Sequence, residues 1–289
     1  MDIYPESILT HEGMGTGMAQ RASGPHAADA VCAAREEVRR LERLLSHFWP
    51  GIGVERLNRS GGEWVDISPD TLRVLEAAQA FDDLSGGLFR ITVGPMADIR
   101  GQAGLDLLPC ETEFARLLLL VAAGGLDLDP PACRARLKCK GQALDLGGVA
   151  KGYTADRLIA IFLQYGCKAT CTNLGGGDVA VLGKRPGGGP WRVGIRHPRR
   201  EGCLMGAVMA ENCAVVTSGD CERFRDGADG RRRHHLIDPR TGQPADSGVI
   251  SKFDGVDAVF VDTNGSAFLS AGMAGRFMPE EGIRANRLV

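Results

Sequence analysis

From residue 27 to residue 48, apolar side chains fall at Val31, Ala34, Val38, Leu41, Leu44, Leu45 and Phe48, the spacing of a helix with one buried face. Ser68 as N-cap and Pro69 in the first turn announce a second helix, carried by Leu72, Leu75, Ala78 and Phe81. It should stop at the glycine break in SGGLFRITVGPM (85–96), where the β-branched run Ile91 to Val93 predicts a loop and a strand. A short helix is expected over Glu111 to Ala122. In DLGGVAKGYTAD (145–156) a strand gives way to a helix whose apolar positions, Ala155, Leu158, Ile159 and Phe162, run out at Gly166. The rhythm then changes to short strands separated by turn residues: 169–174, 179–182, 191–196, 203–209 and 213–217, with DPRTGQP closing another turn. Hairpins explain this economically, and the absence of a steady βαβ alternation predicts an α+β fold. No repeat or Pro/Ser linker divides the chain, so residues 1–289 are expected to form a single domain, or two intertwined lobes.

Composition narrows the function classes. Lys and Arg number 34 against 36 Asp and Glu, so net charge points neither to nucleic acid nor to an anionic membrane. The local exception is Arg231 to His235, which reads either as a solvated hairpin tip or, beside IDPRTG, as a phosphate contact. Nine scattered cysteines form no CxxC pair and no zinc spacing, which fits free thiols in a reducing compartment. The N-terminal residues carry acids and no apolar signal core, and the longest apolar run, Leu117 to Ala123, is far short of the roughly 20 residues that span a bilayer. A cytoplasmic protein without membrane insertion is the expectation.

Chemistry concentrates in a few places. Gly147 and Gly148 permit close backbone approach, the start of the following helix carries exposed amides and a positive dipole, and Lys151 adds a full charge. Such a loop suits a phosphorylated ligand, the plain alternative being an ordinary strand-to-helix turn with a solvated lysine. Asp262 and Ser266 lie four apart; on a helix both oxygens would project from one face toward a hard cation such as Mg²⁺. Asn264 and Gly265 weaken that helix, Gly by roughly 1 kcal/mol relative to Ala, and Asp262 read alone is equally a cap or a surface carboxylate. His235, just before the turn at Asp238 to Gly242, can accept a proton near neutral pH, or be merely structural. TSGDCERF (217–224) reads as a cleft lining or as a capped turn entering a helix.

Taken in order, these segments resemble the ApbE family, the FAD:protein FMN transferases. The resemblance rests on MGT (14–16), SGGLFRITVGPM (85–96), DLGGVAKGY (145–153), LGGGD (174–178), WRVGIRHP (191–198), TSGD (217–220) and HLIDPRTGQP (235–244). It implies a two-lobed, T-fold-related α+β architecture with a ligand cleft between the lobes. It also implies Mg²⁺-dependent transfer of FMN from FAD to a Thr or Ser of an acceptor protein, with release of AMP. By motif, Met14, Leu88, Phe89, Arg90, Asp145, Lys151 and Ile237 would contact FAD. Gly148, through its carbonyl, would hold the metal with Asp262 and Ser266, and His235 would be the catalytic base. Two departures stand out: Arg90 replaces the family's usual Asp, and VDTNGS replaces an ADALST-like metal segment. They leave two further readings open, an FAD carrier that does not transfer and an FAD pyrophosphatase that releases free FMN and AMP.

Overall fold

Met14 and Gly15 make a two-residue turn with both residues at positive φ (50° and 72°), the backbone twist that brings two strands back side by side. The computed structural model describes residues 4–97, 110–175, 177–197, 200–219, 224–226, 232–234, 237–243, 251–255, 260–261 and 267–268, and in it this turn joins β1 (Glu6–Gly13) to β2 (Thr16–Ser23). Next come α1 (Ala27–Leu45), α2 (Gly53–Asn58), β3 (Val65–Asp66), α3 (Pro69–Leu84) and a 3-10 turn at Ile91–Val93. Then follow α4 (Glu111–Ala122), β4 (Leu126–Asp129), β5 (Arg134–Leu137) and α5 (Ala150–Gln164). The remainder is strand: β6 (Ala169–Asn173), β7 (Asp178–Leu182), β8 (Trp191–Arg196), β9 (Leu204–Ala210), β10 (Cys213–Gly219), β11 (Phe224–Asp226), β12 (Arg232–His234), β13 (Ser251–Gly255), β14 (Phe260–Val261) and β15 (Ala267–Phe268).

Six strands form one sheet in the order β1-β2-β6-β7-β10-β13, every neighbour antiparallel. Alternation along β6 sorts its side chains. Thr170, Thr172 and Leu174 turn toward α1 and α5, where Met18, Ala22, Val38, Leu158 and Phe162 complete a core; Ala169 and Cys171 turn to the other face. That second face is covered by the β8–β9 hairpin through Trp191, Val193 and Ile195, packed on Val181 and Val215. A further core gathers α2, α3 and the small sheet β3-β5-β4 around Leu41, Leu57, Leu75, Leu137, Leu144 and Leu146. Helices gathered on one side of an antiparallel sheet are the α+β arrangement expected. Ser68 caps α3 by accepting from Thr71 N–H at 3.0 Å, with Pro69 behind it.

The structure departs from the expected elements in six places. Helix α1 ends at Leu45, and Phe48 is 78% exposed instead of joining the buried face; Pro50 disfavours helical backbone just before it, and Gly53 runs so close to Leu44 that a Cβ would sit 2.1 Å from its carbonyl oxygen. Ile91–Val93 forms a 3-10 turn, not a strand, because it packs under α4, with Thr92 Oγ1 donating to Val121 O at 3.0 Å. Residues 142–146 are neither helix nor strand among the described residues, although a strand was expected to lead into the loop. Thr217 to Gly219 continue β10 and Phe224 begins β11, so the helix considered after TSGD is replaced by strand in the described residues. Likewise, Arg232 to His234 form an arm of the β11–β12 pair and not its tip. Phe260 and Val261 pair with Phe268 and Ala267 in a short antiparallel ladder, so these four residues are strand and not helix; residues 262–266 lie outside the described residues.

Candidate functional site

Helix α5 starts at Ala150 with no side-chain cap at Val149, so no capping side chain stands between the start of the helix and a ligand. The turn leading into it is built by its own residues. Asp145 Oδ1 accepts from Gly147 N–H at 2.8 Å, and Leu146 O accepts from both Val149 and Ala150 N–H at 2.9 Å. Lys151, one residue inside the helix, extends its ammonium to Asp178 Oδ2 at 3.1 Å. Asp178 opens β7 with its side chain only 14% exposed, so two sequence motifs meet in one ion pair.

Other motifs converge here. Met14, at the tip of the first hairpin, packs against both the α1/α5 core and the α2/α3 core, and its sulfur accepts a hydrogen bond from Thr154 Oγ1 at 3.7 Å. A non-glycine residue held in the left-handed region carries strain of order 1 kcal/mol, tolerated where surrounding packing fixes it. Gly175, at φ 105°, lies so near Thr16 that a Cβ would stand 2.6 Å from its Oγ1, and Thr217 N–H donates to Gly177 O at 2.7 Å. Met14–Thr16, Leu174, Gly175, Gly177, Asp178, Thr217 and the α5 N-terminus therefore form one continuous patch. From the opposite side, Ile91 O accepts from Asp145 N–H at 2.7 Å.

The SGGLFR loop and the DPRTG turn share a second feature, an open recess of about 470 Å³ lined by Gly86, Gly87, Arg90, Leu118, Pro239 and Arg240. Arg90 Nη1 donates to the carbonyls of Val121 (3.3 Å) and Ala122 (3.2 Å), and its Nε stands 3.5 Å from Asp82 Oδ1. It thus ties the ends of α3 and α4 together from one wall of the recess. Burial lifts the Asp82 carboxyl above its usual range despite that partner. Phe89 is buried edge-on against Phe81, with ring centroids 6.1 Å apart, and Leu88 is half-buried beside it. Ile237 packs on Met96, Leu117 and Val121. In the turn that follows, Asp238 takes Gly242 N–H on its carbonyl at 2.7 Å, and hydrogen bonds from Arg240 hold its carboxyl below the usual range.

The sequence profile of the ApbE family matches residues 14–253. The chain belongs to the ApbE family. A Klebsiella pneumoniae protein named FAD:protein FMN transferase is 30% identical over 241 residues, covering 81% of this chain and 72% of that protein. A Treponema pallidum protein of the same name is 31% identical over 265 residues, 82% of this chain and 71% of its own. Among solved structures, the ApbE protein of Thermotoga maritima superposes with a TM-score of 0.77 at 30% identity, covering 86% of this chain and 81% of that one. The flavin transferase ApbE of Vibrio cholerae shares the fold, with a TM-score of 0.75 at 21% identity over 91% and 84% of the two chains.

In this ApbE chain the residues expected at the site divide, where described, into two groups: Met14, Asp145, Gly148 and Lys151 at the start of α5, and Leu88, Phe89, Arg90 and Ile237 beside the recess. His235, Asp262 and Ser266 lie outside the described residues. Among the described residues no three His, Cys, Asp or Glu side chains gather as a metal site, and no helix is long and apolar enough to cross a membrane. Sequence reasoning passed over two residues that the structure brings to the loop. Asp178 was visible within LGGGD but had no assigned task; Asn58, at the end of α2, carried no signal at all.

Proposed function

We propose that this ApbE chain transfers the FMN half of FAD to a Thr or Ser hydroxyl of an acceptor protein and releases AMP. The observation that carries the reading is the meeting of the MGT, DLGGVAKGY, LGGGD and TSGD segments at the uncapped N-terminus of α5, where helix amides and Lys151 favour a diphosphate. The names of the relatives at 30% and 31% identity supply the substrate. In the proposed reaction the acceptor oxygen attacks the FMN phosphorus, a P–O ester bond forms, the diphosphate P–O bond breaks, and AMP carries away the bridging oxygen. His235 accepts the hydroxyl proton. Lys151 and the helix amides hold the diphosphate in place, and Met14 covers the turn beside them.

The donor set assigned to a metal is entirely oxygen, the carbonyl of Gly148 with Asp262 and Ser266, a chemistry that suits Mg²⁺. Bound there, Mg²⁺ would supply charge neutralisation to the diphosphate oxygens. The whole of 1–289 would act as one transferase domain. A cytoplasmic setting is supported by eight described cysteines that are all free thiols.

The test is to incubate the purified protein with FAD, Mg²⁺ and a candidate acceptor. Flavin fluorescence should follow the denatured acceptor on a gel, with AMP appearing in equal amount. Free FMN without labelled acceptor would make the protein a pyrophosphatase, and FAD bound but unconverted would make it a carrier.

A further inference from the structure

We infer that Asn58 is a positioning residue that fixes the backbone of the diphosphate loop, a role that rests on the transferase reading for its consequence but not for its geometry. Residues 142–146 belong to no sheet, yet Leu144 is buried, so its N–H and C=O need partners that no strand provides. Asn58 supplies both. Its Nδ2 donates to Leu144 O at 3.1 Å and its Oδ1 accepts from Leu144 N–H at 2.8 Å, across 86 residues of sequence. One planar carboxamide thus replaces the edge of a neighbouring strand, which only a side chain with a donor and an acceptor at that reach can do.

The other side of the segment is equally constrained. Asp145 N–H donates to Ile91 O at 2.7 Å, and a Cβ on Gly94 would meet Ala143 O at 2.6 Å. Residues 143–145 are therefore threaded between α2 and the Ile91–Gly94 turn. Asp145, whose carboxylate shapes the turn at Gly147, follows Leu144 directly, and the carbonyl of Gly148 and the ammonium of Lys151 follow within seven residues. A shift at Leu144 moves all three.

The test compares Asn58→Ala and Asn58→Asp with Gln79→Leu, which deletes an equivalent bond (Gln79 Nε2 to Leu126 O, 2.7 Å) away from the loop. Asn58→Asp keeps the size and the acceptor but puts a carboxylate oxygen where the donor faced the Leu144 carbonyl, so it remains informative if Asn58→Ala does not fold. Flavin-fluorescence titration should show Kd for FAD raised at least tenfold in both Asn58 variants, with and without Mg²⁺, and within twofold of wild type in Gln79→Leu. The Leu144 amide should be protected from hydrogen exchange in wild type and exchange at least tenfold faster in Asn58→Ala, which removes its acceptor. Unchanged FAD affinity in Asn58→Asp, or an equal loss in Gln79→Leu, overturns the positioning role. If wild type itself binds no FAD, the transferase reading fails instead, and an unprotected Leu144 amide would then remove the clamp as well.

Discussion

Tyr153 illustrates how one side chain orients a functional helix. Its hydroxyl donates to Asp70 Oδ1 at 2.5 Å, while Arg40 reaches Asp70 Oδ2 at 2.8 Å, tying α5 to α3 and α1. Burial and the bond to Asp70 push the Tyr153 pKa up to about 12; burial works against Asp70, but Tyr153 and Arg40 outweigh it and hold its carboxyl low. A raised tyrosine pKa contributes stability in full below its unfolded value of about 10 and loses it as pH climbs through the folded value. Tyr153→Phe is therefore expected to lower unfolding free energy by about 1.5–3 kcal/mol at pH 7, the worth of a hydrogen bond to a charged acceptor, as read by urea denaturation. The gap between the two proteins should shrink from pH 10 to pH 12, and a constant gap would contradict the assignment. Gly94 makes a steric case. Alanine there would put a methyl 2.6 Å from Ala143 O and 2.7 Å from its carbonyl carbon, both backbone, so Gly94→Ala should cost about 1–3 kcal/mol in the same measurement.

At the scale of elements, α5 carries the site, and its effect depends on the strand opposite. Lys151 is neutralised by Asp178 at 3.1 Å until an anion competes for it. Lys151→Met removes the attraction and leaves the Asp178 carboxylate without the Lys151 ammonium beside it, so FAD affinity should fall by about 10- to 100-fold, or roughly 1.4–2.8 kcal/mol. Lys151→Met with Asp178→Asn should recover part of that loss in calorimetric titration, because the repulsion is gone; no recovery would mean that the pair does not face the ligand. These elements show what a sequence can reveal. Helices α1, α3, α4 and α5 were legible because each buries one face at helical spacing, and the hairpins because turn residues separate short β-branched runs. Ile91–Val93 was misread because its local strand preference yields to packing beneath α4, and the strand expected before Gly147 because a segment bonded to a side chain has the same sequence pattern as a strand. Glycines marked the loop of the site, but its supports, Asn58 and Asp178, were set by contacts distant in sequence.

Over the whole molecule, the two helix-lined cores are separate clusters joined by shared elements. Leu41 and Leu45 of α1 sit in one and Ala30 to Val38 in the other; Tyr153 of α5 belongs to the first and Leu158 to Phe162 to the second. Neither cluster can lose its packing without removing a face from a helix that the other requires. Independent melting of two halves would demand that α1 and α5 fray at their middles, where Val38 and Leu41 are both fully buried. The described part of the chain should therefore unfold as one cooperative unit. Leu41→Ala, in the first cluster, is expected to cost about 2–5 kcal/mol, and Phe162→Ala, in the second, about 3–5 kcal/mol. Each should shift a single thermal transition, seen alike by far-UV dichroism and by tryptophan fluorescence. The fluorescence arm is informative because Trp191 lies against the third cluster, while Trp64 is stacked by Arg134 and Arg136 on the β3-β5-β4 sheet. If Leu41→Ala split the curve, so that the Trp64 signal was lost before the Trp191 signal, α1 would be a hinge between two independently stable bodies. Flavin binding at the start of α5, where Met14 bridges the same two cores, would then report their docking as well as their chemistry.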